Sequence, residues 1–149
     1  MKHQPLINYL NELLSNHFVL YVKLHRYHWY VQGPQFFQLH AQFEEMYEQT
    51  ASDLDRIAER ILMINGQPYA TMSKFVKEAT IAEATADDTV DEMMNQLRDD
   101  FNHMIASNRD EGLRLADESQ DEPTKDLLIG LTSQFEKYNW MIDAYQTKR

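Results

Sequence analysis

The segment LHRYHWYVQGPQFFQLHAQFEEMYEQTASDLDRIAER, residues Leu24–Arg60, sets His25, His28 and His40 among carboxylates at helical intervals. The part beyond Gly33-Pro34 decides the fold. On a helical wheel with His40 at zero, Glu44 falls near ~40°, Asp55 near ~60°, Glu48 near ~80° and Glu59 near ~100°. Met46, Phe43 and Leu54 lie near ~240°, ~300° and ~320°, while Glu45, Arg56 and Arg60 occupy roughly 140–200°. An amphipathic helix needs a core face and a solvent face. This one carries a third, polar face holding His40, Glu44, Asp55 and Glu59, which reads as a contact surface with polar groups set into it.

Working outward, the same periodicity predicts four long helices. The first has the stripe Leu6, Leu10, Leu13, His17, Tyr21, Leu24 and His28, and Gly33-Pro34 ends it. The second runs from about Phe36 to Asn65, striped by Leu39, Phe43, Met46, Leu54, Ile57 and Ile61, and Asn65-Gly66 followed by Pro68 stops it. Thr89 and Glu92 form a capping box for the third, with Val90, Met94, Leu97, Phe101, Met104 and Leu115 as its stripe. Pro123 suits the first turn of the fourth, lined by Leu128, Leu131, Phe135, Tyr138, Ile142 and Tyr145. The connection from Gly66 to Asp88 is too long for a hairpin loop, and SKFVKEA within it predicts a short extra helix. The fold class is therefore all-α: a four-helix bundle with a crossover, expected to be one domain over residues 1–149.

Composition narrows the function classes. The 149 residues, 43% hydrophobic with four Gly, four Pro and no Cys, suit one sizeable core and exclude disulfides and thiolate metal sites. No run of about 18 apolar residues predicts a membrane span. The first ten residues, MKHQPLINYL, lack the apolar region of a signal peptide, so a cytoplasmic location is expected. The net charge of −10 should repel phosphates and attract cations.

Distance along the second helix limits what its polar face can bind. His40 and Glu44 are one turn apart, as are Asp55 and Glu59, but the pairs stand 15 residues apart, about 22 Å along the axis. They cannot hold the same ion within one chain. Two copies of the helix crossing antiparallel about a two-fold axis would bring His40 of one over Asp55 of the other and generate two equivalent sites. His28 can join if the first helix lies alongside. An imidazole and carboxylate set suits Fe, Mn or Zn and is too rich in His for Ca or Mg. Carboxylates at i,i+4 are also what an ordinary solvated helix face carries.

The string HWYVQGPQFFQLHAQFEEMY with DLDRIAERIL and INGQP after it, and KYNW near the C-terminus, resembles the Dps family, the mini-ferritins. The resemblance covers nearly the whole chain. It implies a ferritin-like four-helix bundle with a short helix in the long crossover connection, assembled as a hollow dodecamer. It also implies ferroxidase ligands His28, His40 and Glu44 from one subunit, with Asp55 and Glu59 from its two-fold mate. Glu44 stands where many relatives have Asp. Ferritins proper use E-x-x-H pairs inside one bundle. This chain has none; Asp100-x-x-His103 is the nearest approach and reads as a surface pair.

The activity implied is oxidation of Fe(II), preferably with hydrogen peroxide, and storage of Fe(III), protecting against oxidative damage. Trp29, beside His28, is a candidate catalytic electron donor when one iron is present, or simply a packing residue. The family's three-fold iron-entry pore maps onto Asp117, Glu122 and Asp126, within a stretch whose acids also suit the start of the fourth helix. His25 is read as a neighbour of the interface or a residue that supports the ligands, His17 as a core or interface histidine and His3 as a tail residue with no metal role. Met93, Met94, Met104, Tyr138 and Trp140 are read as packing.

The alternative is a DNA-binding, DNA-compacting Dps with a secondary iron role. Neutralising several phosphates takes several cations. Only Lys2 and His3 precede Pro5, and Lys148 and Arg149 end the sequence. DNA binding is expected to be weak or absent.

Overall fold

A computed structural model describes residues 3–85 and 89–147; Lys2, Asp88, Lys148 and Arg149, invoked above, lie outside the described residues. The described residues are all-helical, in the order α1 (Gln4–Tyr30), α2 (Phe36–Met63), α3 (Met72–Glu78), α4 (Val90–Ser107), a π-helical turn (Asn108–Gly112), α5 (Leu113–Glu118) and α6 (Glu122–Tyr145). This is the expected four-helix bundle: α1 pairs with α2, the α4–α5 arm pairs with α6, and α3 sits in the crossover against α1. Among the described residues no helix is long and apolar enough to cross a membrane.

The predicted stripes form the core. Leu6, Leu10, Leu13, His17, Leu24 and His28 of α1 are buried, as are Leu39, Phe43, Met46, Ile57 and Ile61 of α2. Met93, Met94 and Met104 are core residues, but Tyr145 and Trp140 are 39% and 53% exposed; Trp140 lies between buried Tyr138 and Ile142, on the other face of α6. The helix ends follow local chemistry. Thr89 Oγ1 accepts from Glu92 N at 3.2 Å, the N-cap half of the predicted capping box, and donates to Glu92 Oε1 at 2.6 Å. His3 is no loose tail residue: its carbonyl accepts from Ile7 N and it caps α1. At the end of α2 the left-handed residue is Asn65 (φ 68°), and Gly66 N donates to Ile61 O at 2.8 Å. A Cβ on Gly66 would come within 2.9 Å of Ile61 and Ile7, so glycine here permits close packing.

The long crossover is pinned by buried amides on α1. Asn11 donates to Gln67 O and accepts from Tyr69 N; Asn16 accepts from Thr80 N and Ile81 N. Phe18 stacks on Phe75 of α3 with ring centroids 4.0 Å apart. Backbone groups that would otherwise be unpaired under the crossover thus find partners on the bundle.

Two features depart from the sequence reading. The third helix is broken by the π-turn, where Tyr9 donates to Asn108 Oδ1 at 2.5 Å and Asn108 Nδ2 donates to Thr132 Oγ1 at 3.1 Å. Burial, then the charges of Glu12 and Glu111, push the Tyr9 phenol up, so it remains a donor. Asp100 is also not a surface residue. It is buried and paired with Lys23 Nζ at 2.7 Å, while His103 is exposed and bonds Thr80 Oγ1. Burial pushes the Asp100 carboxyl up against the opposing pull of Lys23. His17, buried with Nδ1 donating to Leu13 O, has its pKa lowered by burial against the smaller pull of that hydrogen bond and Asp53.

Breaking the Lys23–Asp100 pair leaves one buried charge uncompensated, so Lys23→Met or Asp100→Leu alone should cost about 3–5 kcal/mol, whereas the double variant should be near neutral. Denaturant melts of the three variants check this; a double-variant loss equal to the sum of the two single losses would show that the pair is uncoupled.

Candidate metal centre

The residues that matter most sit where α1 ends and α2 begins. Gly33 (φ 112°) takes the left-handed turn that reverses the chain, and Phe36 N donates to Gly33 O at 3.1 Å. This tight connection lays the last turn of α1 against the first turns of α2.

There the two imidazoles interlock. His28 Nδ1 lies 2.7 Å from His40 O, and His40 Nδ1 lies 2.7 Å from His28 O. A carbonyl can only accept, so each Nδ1 carries a proton and, in the neutral ring, each Nε2 presents a lone pair. The rings stack with centroids 3.6 Å apart and an interplanar angle of 15°. The carbonyl of His28 is one of the last in α1, which have no partner within their own helix. The same contacts thus cap α1 and orient both rings.

Glu44, one turn beyond His40, brings Oε1 to 3.7 Å from His28 Nε2. That is too long for a hydrogen bond, and both atoms are acceptors in this tautomer. Two acceptors facing across such a gap suit a cation between them: a first-row metal bonds each at about 2 Å. His28 is buried, His40 half-buried and Glu44 exposed, so the pair is anchored on one side and open on the other.

Within the described chain the set stays incomplete: no group of three or more His, Cys, Asp or Glu side chains converges closely enough to hold an ion. Asp55 and Glu59 are exposed on the same continuous helix, 15 residues beyond His40 in the case of Asp55, or about 22 Å. The structure brings together His28, His40 and Glu44 and leaves Asp55 and Glu59 apart, as the helical spacing requires.

Aromatic rings surround the pair. Tyr47, on α2 one turn beyond Glu44, meets His28 edge-on at 5.3 Å and stacks on His25 at 3.7 Å with an angle of 19°. His25 is held by Nδ1 on Tyr21 O at 2.8 Å, and the Trp29 ring lies 5.5 Å from it. Trp29 is 67% exposed. The sequence reading gave Tyr47 no role; its spacing of seven from His40, two helical turns, was the available signal.

At the opposite end of α2, Asp117, Glu122 and Asp126 are all exposed on one end of the bundle. They are not alone. Lys125 Nζ lies 2.8 Å from Asp117 Oδ1, and that hydrogen bond, Asp117's charge and Glu122 hold the ammonium above its usual range. Asp121, of the same acidic stretch, is buried and structural. It caps α6, accepting from Thr124 N at 3.0 Å and Thr124 Oγ1 at 2.5 Å, and pairs with Arg60 at 3.0 Å. Burial alone would raise its pKa, but the Thr124 bonds and Arg60 together bring it below the usual carboxylate value.

The ferritin-like domain family matches residues 7–149. The chain is 45% identical over 142 residues to general stress protein 20U of Bacillus subtilis, covering 95% of this chain and 97% of that protein. It superposes on the crystal structure of a Dps protein from Bacillus brevis with a TM-score of 0.94, 39% identity and 97% of each chain covered. The Dps protein of Vibrio cholerae O1, described as a member of a broad superfamily of ferritin-like diiron-carboxylate proteins, matches with a TM-score of 0.92 and 39% identity, over 97% of this chain and 91% of that one.

The interlock predicts that His28 and His40 are both Nδ1–H tautomers before metal is added. Nitrogen NMR of protein carrying labelled histidine checks this, with Zn(II) then shifting both Nε2 resonances. An Nε2–H tautomer at either residue contradicts the assignment.

Proposed function

We propose that this chain, which belongs to the Dps family of the ferritin-like proteins, oxidises Fe(II) at sites shared between subunits and stores Fe(III) in a hollow dodecamer. The observation that carries the reading is the half-built site: two imidazoles locked with Nε2 outward, a carboxylate 3.7 Å away, and an open side. Asp55 and Glu59 complete it only from another copy of α2. An antiparallel two-fold contact supplies them twice, one set to each site. The whole chain, 1–149, acts as one domain, in the cytoplasm.

Iron is the substrate. His28, His40 and Glu44 would hold it from one side and the partner subunit's Asp55 and Glu59 from the other. Imidazole tolerates Fe(II), and the carboxylates favour the harder Fe(III). Hydrogen peroxide is the preferred oxidant: two Fe(II) each give one electron, the O–O bond breaks, and two hydroxides form, with no hydroxyl radical released. Hydrolysis of Fe(III) then yields an oxyhydroxide core. Trp29 is a candidate donor of an electron where a lone iron meets peroxide.

Asp117, Glu122 and Asp126 form the iron-entry pore where three subunits meet, their negative potential concentrating Fe(II). Lys125 moderates that potential by occupying Asp117.

Coating of DNA is the weaker alternative. The net charge is −10. Eight described cations, Lys23, Arg56, Arg60, Lys74, Arg98, Arg109, Arg114 and Lys125, already sit in ion pairs, which leaves few for phosphates. Protection of DNA follows from removal of iron and peroxide.

Anaerobic Fe(II) loading followed by peroxide, read as ferric absorbance, tests the site. The His40→Ala/Asp55→Ala double variant should lose the fast phase while keeping its assembly; equal rates in both proteins would make the polar stripe structural. In the same assay Lys125→Gln should take up Fe(II) faster than wild type at limiting iron, and Asp117→Asn more slowly. No change in either variant removes the pore from the entry route.

A further inference from the structure

Arg60 directs three of its N–H groups at three different acceptors. Nε donates to Thr124 Oγ1 at 2.9 Å, Nη2 donates to Asp121 Oδ1 at 3.0 Å, and Nη1 donates to Met63 Sδ at 3.8 Å. The first two acceptors belong to the start of α6, where Asp121 also accepts from Thr124 N and Thr124 Oγ1. The third is one turn further along α2, at its last residue. The guanidinium is thus a tie between the end of α2 and the start of α6. Its weakest bond is the one to sulfur, because a thioether is a poor acceptor.

That sulfur is also accessible. Met63 is 68% exposed. With Arg60, Ser119 and Asp121 it lines a hollow of about 350 Å3 between the end of α2 and the turn that leads into α6. A molecule of peroxide fits such a space easily. Met46, Met93, Met94 and Met104 are buried in the core and shielded from it. Met72, 55% exposed at the first residue of α3, supplies a comparison: a thioether of similar exposure on a different element.

We propose that Met63 is a site of oxidation by hydrogen peroxide, and that its sulfoxide tightens the Arg60 tie instead of damaging the fold. A sulfur lone pair attacks one peroxide oxygen. A sulfur–oxygen bond forms, the O–O bond breaks, and the departing oxygen takes the proton from the transferred one and leaves as water. Sulfur gives up two electrons and peroxide takes both, so no metal is needed. The product oxygen is a strong, partly negative acceptor on the atom that already faces Nη1. An N–H···O bond closes at about 2.7–3.2 Å, so a small adjustment of the exposed side chain brings the oxygen onto the guanidinium. Sulfoxide formation in a core disrupts packing. At Met63 most of the side chain is already in water, and the gain of an acceptor outweighs the loss of apolar contact. The effect falls on the acidic end of the bundle: Glu122 and Asp126 lie in the first turns of α6, which the tie steadies.

The test treats the assembled protein, freed of metal by a chelator, with hydrogen peroxide and maps the product by peptide mass spectrometry. Hydrogen exchange is then followed over the peptide that spans residues 121–126. Met63 should gain one oxygen, and exchange across the start of α6 should slow about threefold or more, the scale of one added hydrogen bond. Methionine sulfoxide reductase should restore the original rate. Met63→Leu should show no slowing after the same treatment. Three results overturn the proposal: a Met63 that stays reduced at a peroxide dose that oxidises Met72, exchange that is unchanged or faster in the sulfoxide, or equal slowing in peroxide-treated Met63→Leu. None of them bears on the ferroxidase reading, since no iron is present.

Discussion

The reciprocal contact between His28 and His40 is the constraint on which the rest of the site depends. Each imidazole caps the other residue's carbonyl, and together they tie the end of α1 to the start of α2. The carbonyl of His28 is available because α1 stops at Tyr30, two residues later. The ring of His40 reaches it because Gly33 turns the chain so tightly. One arrangement therefore satisfies a helix end, joins two helices and fixes both tautomers. The fold itself orients both Nε2 atoms, and the two rings keep little side-chain freedom that a bound ion would have to remove.

Much of this was legible in the sequence, because helical spacing translates directly into angle and distance. The three-faced α2, the capping box at Thr89 and Glu92, the short α3 and the impossibility of joining His40 to Asp55 within one chain all follow from 3.6 residues per turn. What was not legible depends on partners far away in sequence. The break at Asn108 depends on Tyr9 and Thr132; Asp100 is buried because Lys23, 77 residues earlier, is buried with it. Periodicity carries no information about such pairs. The stacking of Tyr47 on His25 likewise required the packed helices.

The acidic stretch at the start of α6 shows how position separates like residues. Asp121 and Asp117 are four apart, yet one is buried under three hydrogen-bond donors and the other meets solvent and one lysine. The resemblance assigned Asp117, Glu122 and Asp126 to a pore and left Asp121 without a role. The structure distinguishes a carboxylate that holds α2 to α6 through Arg60 from those that face outward, and adds a fixed positive charge among the latter. Electrostatic attraction at this end is a balance between Lys125 and its neighbours rather than a sum of acids.

The π-turn at Asn108–Gly112 has a geometric meaning beyond its hydrogen bonds. A turn that holds an additional residue delays everything after it by one position, about 100° of rotation. Met104, Asn108, Gly112 and Leu115 are buried in succession along this arm, with Ala116 beside Leu115 and Asp117 turned outward. The helix thus behaves as a shaft with a clutch in it: Met104 before the turn and Leu115 and Ala116 after it are buried in the same apolar cluster, while Asp117 faces outward toward the loop that leads into α6. Two angular requirements, one from packing and one from the acidic end, are met by a single arm because the slip between them is locked by Tyr9.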